Sequence, residues 1–236
     1  MSFICGLIWC VIALSVCFLT TKYYMPFYID SKKKNNSSDN PDNSEKTDEK
    51  KALLSDKRHK VIALIIVGIF SAVCGYFAYI NSTSVINLIK LSIGLVVLVA
   101  VGITDIQLMV IPNLFVLVAI VARLLCLVAE FIIYGMDAWR VLVNNTIAAV
   151  IVLVFLFVMS KLTKGGLGAG DVKIYTALGF LCGIGCVFYT LLFTMIISAI
   201  FSIVLLILKK KKLKDSFPMG PFICLGYGLS IILALA

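Results

Sequence analysis

Leu88-Ile89-Lys90-Leu91-Ser92-Ile93-Gly94-Leu95-Val96-Val97-Leu98-Val99-Ala100-Val101-Gly102-Ile103-Thr104-Asp105 is the stretch on which the fold turns. Residues 88–104 carry a single charge, Lys90 near their start, and are otherwise almost wholly apolar at close to the length a bilayer crossing needs. Outward from this run, a span-length window finds further apolar runs at about residues 3–21, 61–80, 111–134, 139–160, 172–187, 188–208 and 217–236. With 61% hydrophobic and only 14% charged residues among 236, a water-soluble domain is excluded. The reading is an all-α, polytopic membrane protein of about eight transmembrane helices. The number is seven if the sixth and seventh runs, parted only by Gly183, Gly185 and Cys186, form one re-entrant element.

A net charge of +9 would suggest nucleic acid in a soluble protein; here its placement points instead to the lipid bilayer as partner. Along an alternating eight-helix path, 18 of the 21 basic residues fall on one side, in the loops 22–60, 161–173 and 209–216. Lys90 and Arg140 fall opposite and Arg123 lies inside a run. By the positive-inside rule the rich face is cytoplasmic and both termini lie outside. No nucleic-acid partner is expected. Residues 1–21 read as a permanent anchor, since no basic residue precedes the apolar run and no small-residue cleavage site follows it. Residues 22–60 read as a disordered cytoplasmic loop, being polar and aperiodic from Asp30 onward, and residues 61–236 as the membrane-embedded core.

All eight cysteines lie in or beside apolar runs, and the nearest pair, Cys182 and Cys186, is one helical turn apart rather than in a Cys-x-x-Cys loop. They read as small apolar helix residues, and no metal site is expected. His59, in the Lys57–Lys60 cluster, reads as a membrane-edge residue. Arg123, deep in the fourth run, needs a partner. Glu130 stands two turns along the same helix, about 10 Å away and near the limit of two extended side chains. A carboxylate or carbonyl on another helix is the alternative partner.

Two acids are placed differently. Asp105 closes the third run, ahead of Ile111-Pro112-Asn113, and Asp171 opens the sixth, after Gly165-Gly166-Leu167-Gly168-Ala169-Gly170. The topology puts both at the cytoplasmic edge. Two carboxylates at one depth suit acid–base chemistry, because like charges brought together share a proton. Helix polarity favours charge on Asp171, at a helix N-terminus, and the proton on Asp105, at a C-terminus. The glycines permit positive φ and close backbone approach. They match neither the phosphate-binding nor the dinucleotide-binding pattern.

At these residues the chain resembles the bacterial type IV prepilin leader peptidases, membrane aspartic peptidases of the Gly-x-Gly-Asp type. Gly168-Ala169-Gly170-Asp171-Val172-Lys173 is similar to the family signature, with Gly168, Gly170 and Lys173 in register. Asp105 with Pro112 downstream resembles its first aspartate and Ile-Pro-Asn segment, and Pro218-Met219-Gly220-Pro221-Phe222 its Pro-x-Gly-Pro-Phe segment. The resemblance covers about residues 95–236. It implies an endopeptidase of the bacterial inner or plasma membrane, its active site facing the cytoplasm, with Asp105 and Asp171 catalytic and type IV pilin-like precursors as substrates. The peptidase activity it implies uses no cofactor; S-adenosylmethionine would enter only if N-methylation of the new terminus is retained. The chain departs from the pattern at Gln107, often basic in relatives, and in loop 22–60, which lacks the two Cys-x-x-Cys pairs many members carry. The alternatives are a related Gly-x-Gly-Asp protease with another substrate, and an ion-coupled transporter. The latter would put its coupling carboxylates near the bilayer midplane rather than at one surface.

Overall fold

A computed structural model of the protein describes residues 57–82, 84–163, 167–208 and 218–233, together with Val11 and Ser15. Apart from Val11 and Ser15, the run at 3–21 lies outside the described residues, as does most of loop 22–60. The remainder forms seven α-helices: α1 (Lys57–Asn81), α2 (Val85–Leu108), α3 (Asn113–Tyr134), α4 (Ala138–Leu162), α5 (Ala169–Cys182), α6 (Ile184–Ile207) and α7 (Gly220–Ile232). A single 3-10 turn, Gly135–Asp137, joins α3 to α4. The described part of the fold is all-α.

Two boundaries in particular differ from the sequence reading. α1 begins at Lys57, inside the segment assigned to the loop, and α2 runs one turn past its aspartate to Leu108. The sixth and seventh runs are two helices, parted at Gly183, the first of the turn residues that the sequence marks between them. Gly183 has φ of 92°, a conformation that interrupts the helix and that a side chain would resist. α5, at 14 residues, rises only about 21 Å, less than the hydrocarbon thickness.

Three apolar helical stretches are long enough to cross a membrane: Val85–Ile106, Asn113–Leu162 and Ile184–Ile207. The second contains both α3 and α4, each itself of span length. They divide by environment: 67% of the apolar window of α2 is buried, against 22% and 17% for the other two. α2 is therefore a central helix, while α3, α4 and α6 turn residues such as Leu125, Ile132, Val154, Phe157 and Ile203 outward. An apolar surface of this extent is unstable in water and suits lipid. The chain is a membrane protein.

With lipid outside, helix association rests on close packing and interhelical hydrogen bonds rather than on the hydrophobic effect. The interior supplies both. α4 meets α5 where Gly179 lies against Ala148 and Ala149, and α7 meets α6 where Gly226 lies against Thr190 and Thr194. Tyr227 of α7 fits over Gly94 of α2 and donates its hydroxyl to Leu91 O at 2.7 Å. Asn81 Nδ2 of α1 donates to Ile231 O at 2.9 Å, satisfying one of the carbonyls left free at the end of α7. α2, α5 and α7 supply most of the core, through Leu95, Leu98, Val101, Ile174, Leu178, Ile223 and Ile231, and the other helices add residues such as Cys74, Ala119, Leu156 and Val187.

Candidate active site

α2, α5 and α7 bring three short segments to one end of the bundle. Asp105 occupies the last turn of α2 and Asp171 the first turn of α5; both are buried, at 5% and 8% exposure. The helices pack against each other, and the two carboxylates lie within electrostatic reach. The residues that the sequence places at one membrane edge therefore converge in space.

Each carboxylate is held by backbone. Asp105 Oδ2 accepts the Gly220 N–H at 2.7 Å, and the Met219 amide also serves that carboxylate. These amides open α7, whose free N–H groups and dipole attract negative charge. Pro221, in the first turn, sacrifices no needed donor there. Gly220 has no room for a side chain: a Cβ would stand 2.8 Å from Asp105 Cβ and 3.1 Å from Val101 O.

Asp171 is the third residue of α5 and reaches back to the amide of Gly168, its N-cap. This is one half of a capping box. A Cβ on Gly168 would lie 2.8 Å from Asp171 Oδ2, so glycine leaves the carboxylate its place against the backbone. Gly168 has φ of −65° and Gly170 is helical, so neither uses the positive φ that glycine allows. What both provide is close approach: at Gly170 a Cβ would come 2.9 Å from Ile111 Cβ.

That contact ties the α2–α3 connection to α5. Pro112 caps α3 with extended backbone, φ −67° and ψ 137°, and Asn113 Oδ1 accepts Lys173 Nζ at 3.0 Å. Pro218, Gly220 and Pro221 approach from the α7 side. The connection also contains Met109, in the left-handed region at φ 51°, a strained setting for a side chain and four residues past Asp105. Taken one helix at a time, helix polarity separates the two acids. Asp105 closes α2 but faces the N-terminus of α7, so both carboxylates meet helix N-termini and that distinction loses its basis.

Elsewhere, α3 carries a separate ionic cluster. Arg123 Nη1 pairs with Glu130 Oε2 at 2.9 Å, so the same-helix partner serves, and Lys90 of α2 joins through Glu130 Oε1 at 3.0 Å. Arg123 is fully enclosed, with its guanidinium 5.8 Å from the centre of the Phe180 ring. Arg123 lies about 15 Å along α3 from Asn113, so the cluster is well removed from the aspartates. Lys90, which hydropathy leaves as a surface charge, is 7% exposed and binds α2 to α3.

An all-α membrane protein with two buried carboxylates meeting at one end of its bundle is the class this architecture defines. Residues 92–203, which contain both aspartates, match the type IV leader peptidase family. The chain is also 29% identical over 141 residues to the prepilin leader peptidase/N-methyltransferase of Bacillus subtilis (strain 168), an alignment covering 57% of this chain and 54% of that protein. It thus spans about half the length of that curated relative. No solved structure gives a significant match. The matched segment stops short of α7, yet Gly220 bonds directly to Asp105.

Proposed function

We propose that the chain is a membrane aspartic endopeptidase that removes the short basic leader from type IV pilin-like precursors at the cytoplasmic edge of a bacterial inner or plasma membrane. The convergence of the buried pair Asp105 and Asp171 at one end of the bundle carries this reading. The positive-inside distribution supports the orientation. A precursor whose scissile bond precedes its own apolar helix presents that bond at membrane-surface depth.

Two nearby carboxylates share one proton. The ionised member takes a proton from water as the water oxygen adds to the scissile carbonyl carbon, and the protonated member gives its proton to the carbonyl oxygen. Collapse of the tetrahedral intermediate breaks the C–N bond. The amine takes a proton from one carboxyl, the other recovers its proton from the collapsing diol, and the starting state returns. The bond from Gly220 holds Asp105 Oδ2 in place during this exchange.

The peptidase chemistry needs no cofactor. S-adenosylmethionine enters only if the new amino terminus proves methylated, which mass spectrometry of the product reads. The test of the peptidase is co-expression with candidate precursors, following leader removal by gel shift. Asp105→Asn and Asp171→Asn each preserve shape and remove the proton chemistry, so each should abolish cleavage while inserting normally. Normal processing by either variant refutes the two-carboxylate mechanism.

A further inference from the structure

Tyr175 lies one helical turn beyond Asp171 on α5, at the i+4 position that shares its face. A long side chain on a helix leans back over the preceding turn, which here directs the phenol toward the carboxylate end. Tyr175 is 2% exposed, within the electrostatic reach of Asp171 and beside Thr194 of α6. Thr194 Oγ1 gives its own proton to Thr190 O at 2.6 Å. No acceptor meets the Tyr175 hydroxyl in hydrogen-bonding geometry.

An unpaired buried phenol is unusual, since a buried tyrosine hydroxyl ordinarily finds a partner. Phenylalanine would fill the same space without stranding a polar group. The hydroxyl thus adds nothing to the resting fold that phenylalanine would not, and the ionisable group in electrostatic reach of it is one of the two aspartates. We infer that Tyr175 is a positioning residue for the carboxylate pair, its hydroxyl donating to the Asp171 carboxylate when substrate and water occupy the site and fixing the orientation in which Asp171 exchanges its proton. The inference rests on the peptidase reading above. No covalent step passes through the phenol, which keeps its proton throughout.

Tyr175→Phe in the full-length protein, purified in detergent and assayed on a pilin-precursor peptide, tests this. A hydrogen bond to a charged group, lost from the reacting state, lowers kcat by about ten- to a hundredfold. KM should hold and the midpoint of thermal unfolding should stay or rise, because the variant deletes an unsatisfied group. A wild-type kcat overturns the inference. A fall in kcat accompanied by a lower unfolding midpoint also overturns it, since packing would then be the cause. Asp171→Asn assayed alongside separates the two readings: cleavage by Asp171→Asn refutes the peptidase mechanism itself, whereas an inactive Asp171→Asn beside a fully active Tyr175→Phe removes only the role of the phenol.

Discussion

Gly220→Ala asks how closely Asp105 must be held. The added Cβ would lie 2.8 Å from Asp105 Cβ, 3.2 Å from its Oδ2 and 3.1 Å from Val101 O. Carbon atoms pack comfortably at about 3.5–4.0 Å, so a shift of roughly 1 Å is required. Val101 O is backbone in the middle of α2 and gives little, which leaves the start of α7 or the Asp105 side chain to move. Either movement stretches the 2.7 Å bond from the Gly220 amide. A hydrogen bond to a charged group contributes about 1.5–3 kcal/mol, equivalent to a factor of about ten to a hundred in rate. Misplacing a reacting group by about 1 Å has an effect of similar size. The expected result is a kcat/KM on precursor peptide reduced ten- to a hundredfold, with an unfolding midpoint close to that of the parent. Gly102→Ala is the control. Its Cβ would meet Pro221 Cα at 3.5 Å and Gly220 C at 3.6 Å, ordinary contact with the same end of α7. Near-parental cleavage is expected there. Full activity in Gly220→Ala, with the protein folded, would refute the claim that the α7 amide positions Asp105.

Two further outcomes concern stability. Glu130→Ala strands Arg123 and Lys90 in the interior, which costs about 3–5 kcal/mol and lowers the unfolding midpoint by on the order of 10 °C. Apolar replacement of all three residues should restore most of that loss, and a Glu130→Ala protein as stable as its parent would show the cluster to be idle. At Met109, with φ 51°, Met109→Ile should destabilise by about 1–2 kcal/mol because a branched side chain resists the left-handed region. Met109→Gly should be neutral or stabilising, and thermal unfolding that ranked isoleucine above glycine would contradict the strain assigned there.

The helices were legible because lipid imposes a simple requirement: α2 and α3 appear as apolar runs whatever their neighbours do. Less visible was where each run ends. Asp105 marks the polar limit of its run, but backbone bonding carries α2 on to Leu108, since a carboxylate does not stop a helix. Gly183 was visible as a residue parting two runs, but its φ of 92°, which makes the break, is a conformation that hydropathy does not register. Asp105 and Asp171 stood out as acids at one depth, whereas their convergence depends on packing between residues 66 positions apart in the chain. Gly220 was visible only as part of a motif, because an amide reaching a carboxylate 115 residues earlier leaves no local trace. Lys90 looked like a charge at a membrane surface. Its burial follows from Glu130 on a neighbouring helix, and a one-dimensional profile cannot pair the two. Tyr175 resembled any aromatic in an apolar helix, although its i+4 spacing from Asp171 was there to be read.

The dependence of Asp105 on α7 sets a schedule for biosynthesis. Both aspartates leave the ribosome well before Gly220 does, and until α7 is translated and inserted the carboxylate of Asp105 has no amide to grip it. A nascent chain arrested after α6 would carry both acids and every residue of the matched family segment, yet lack the amide that holds Asp105. Translation thereby leaves the acidic pair half-assembled until the last helix of the bundle is in place.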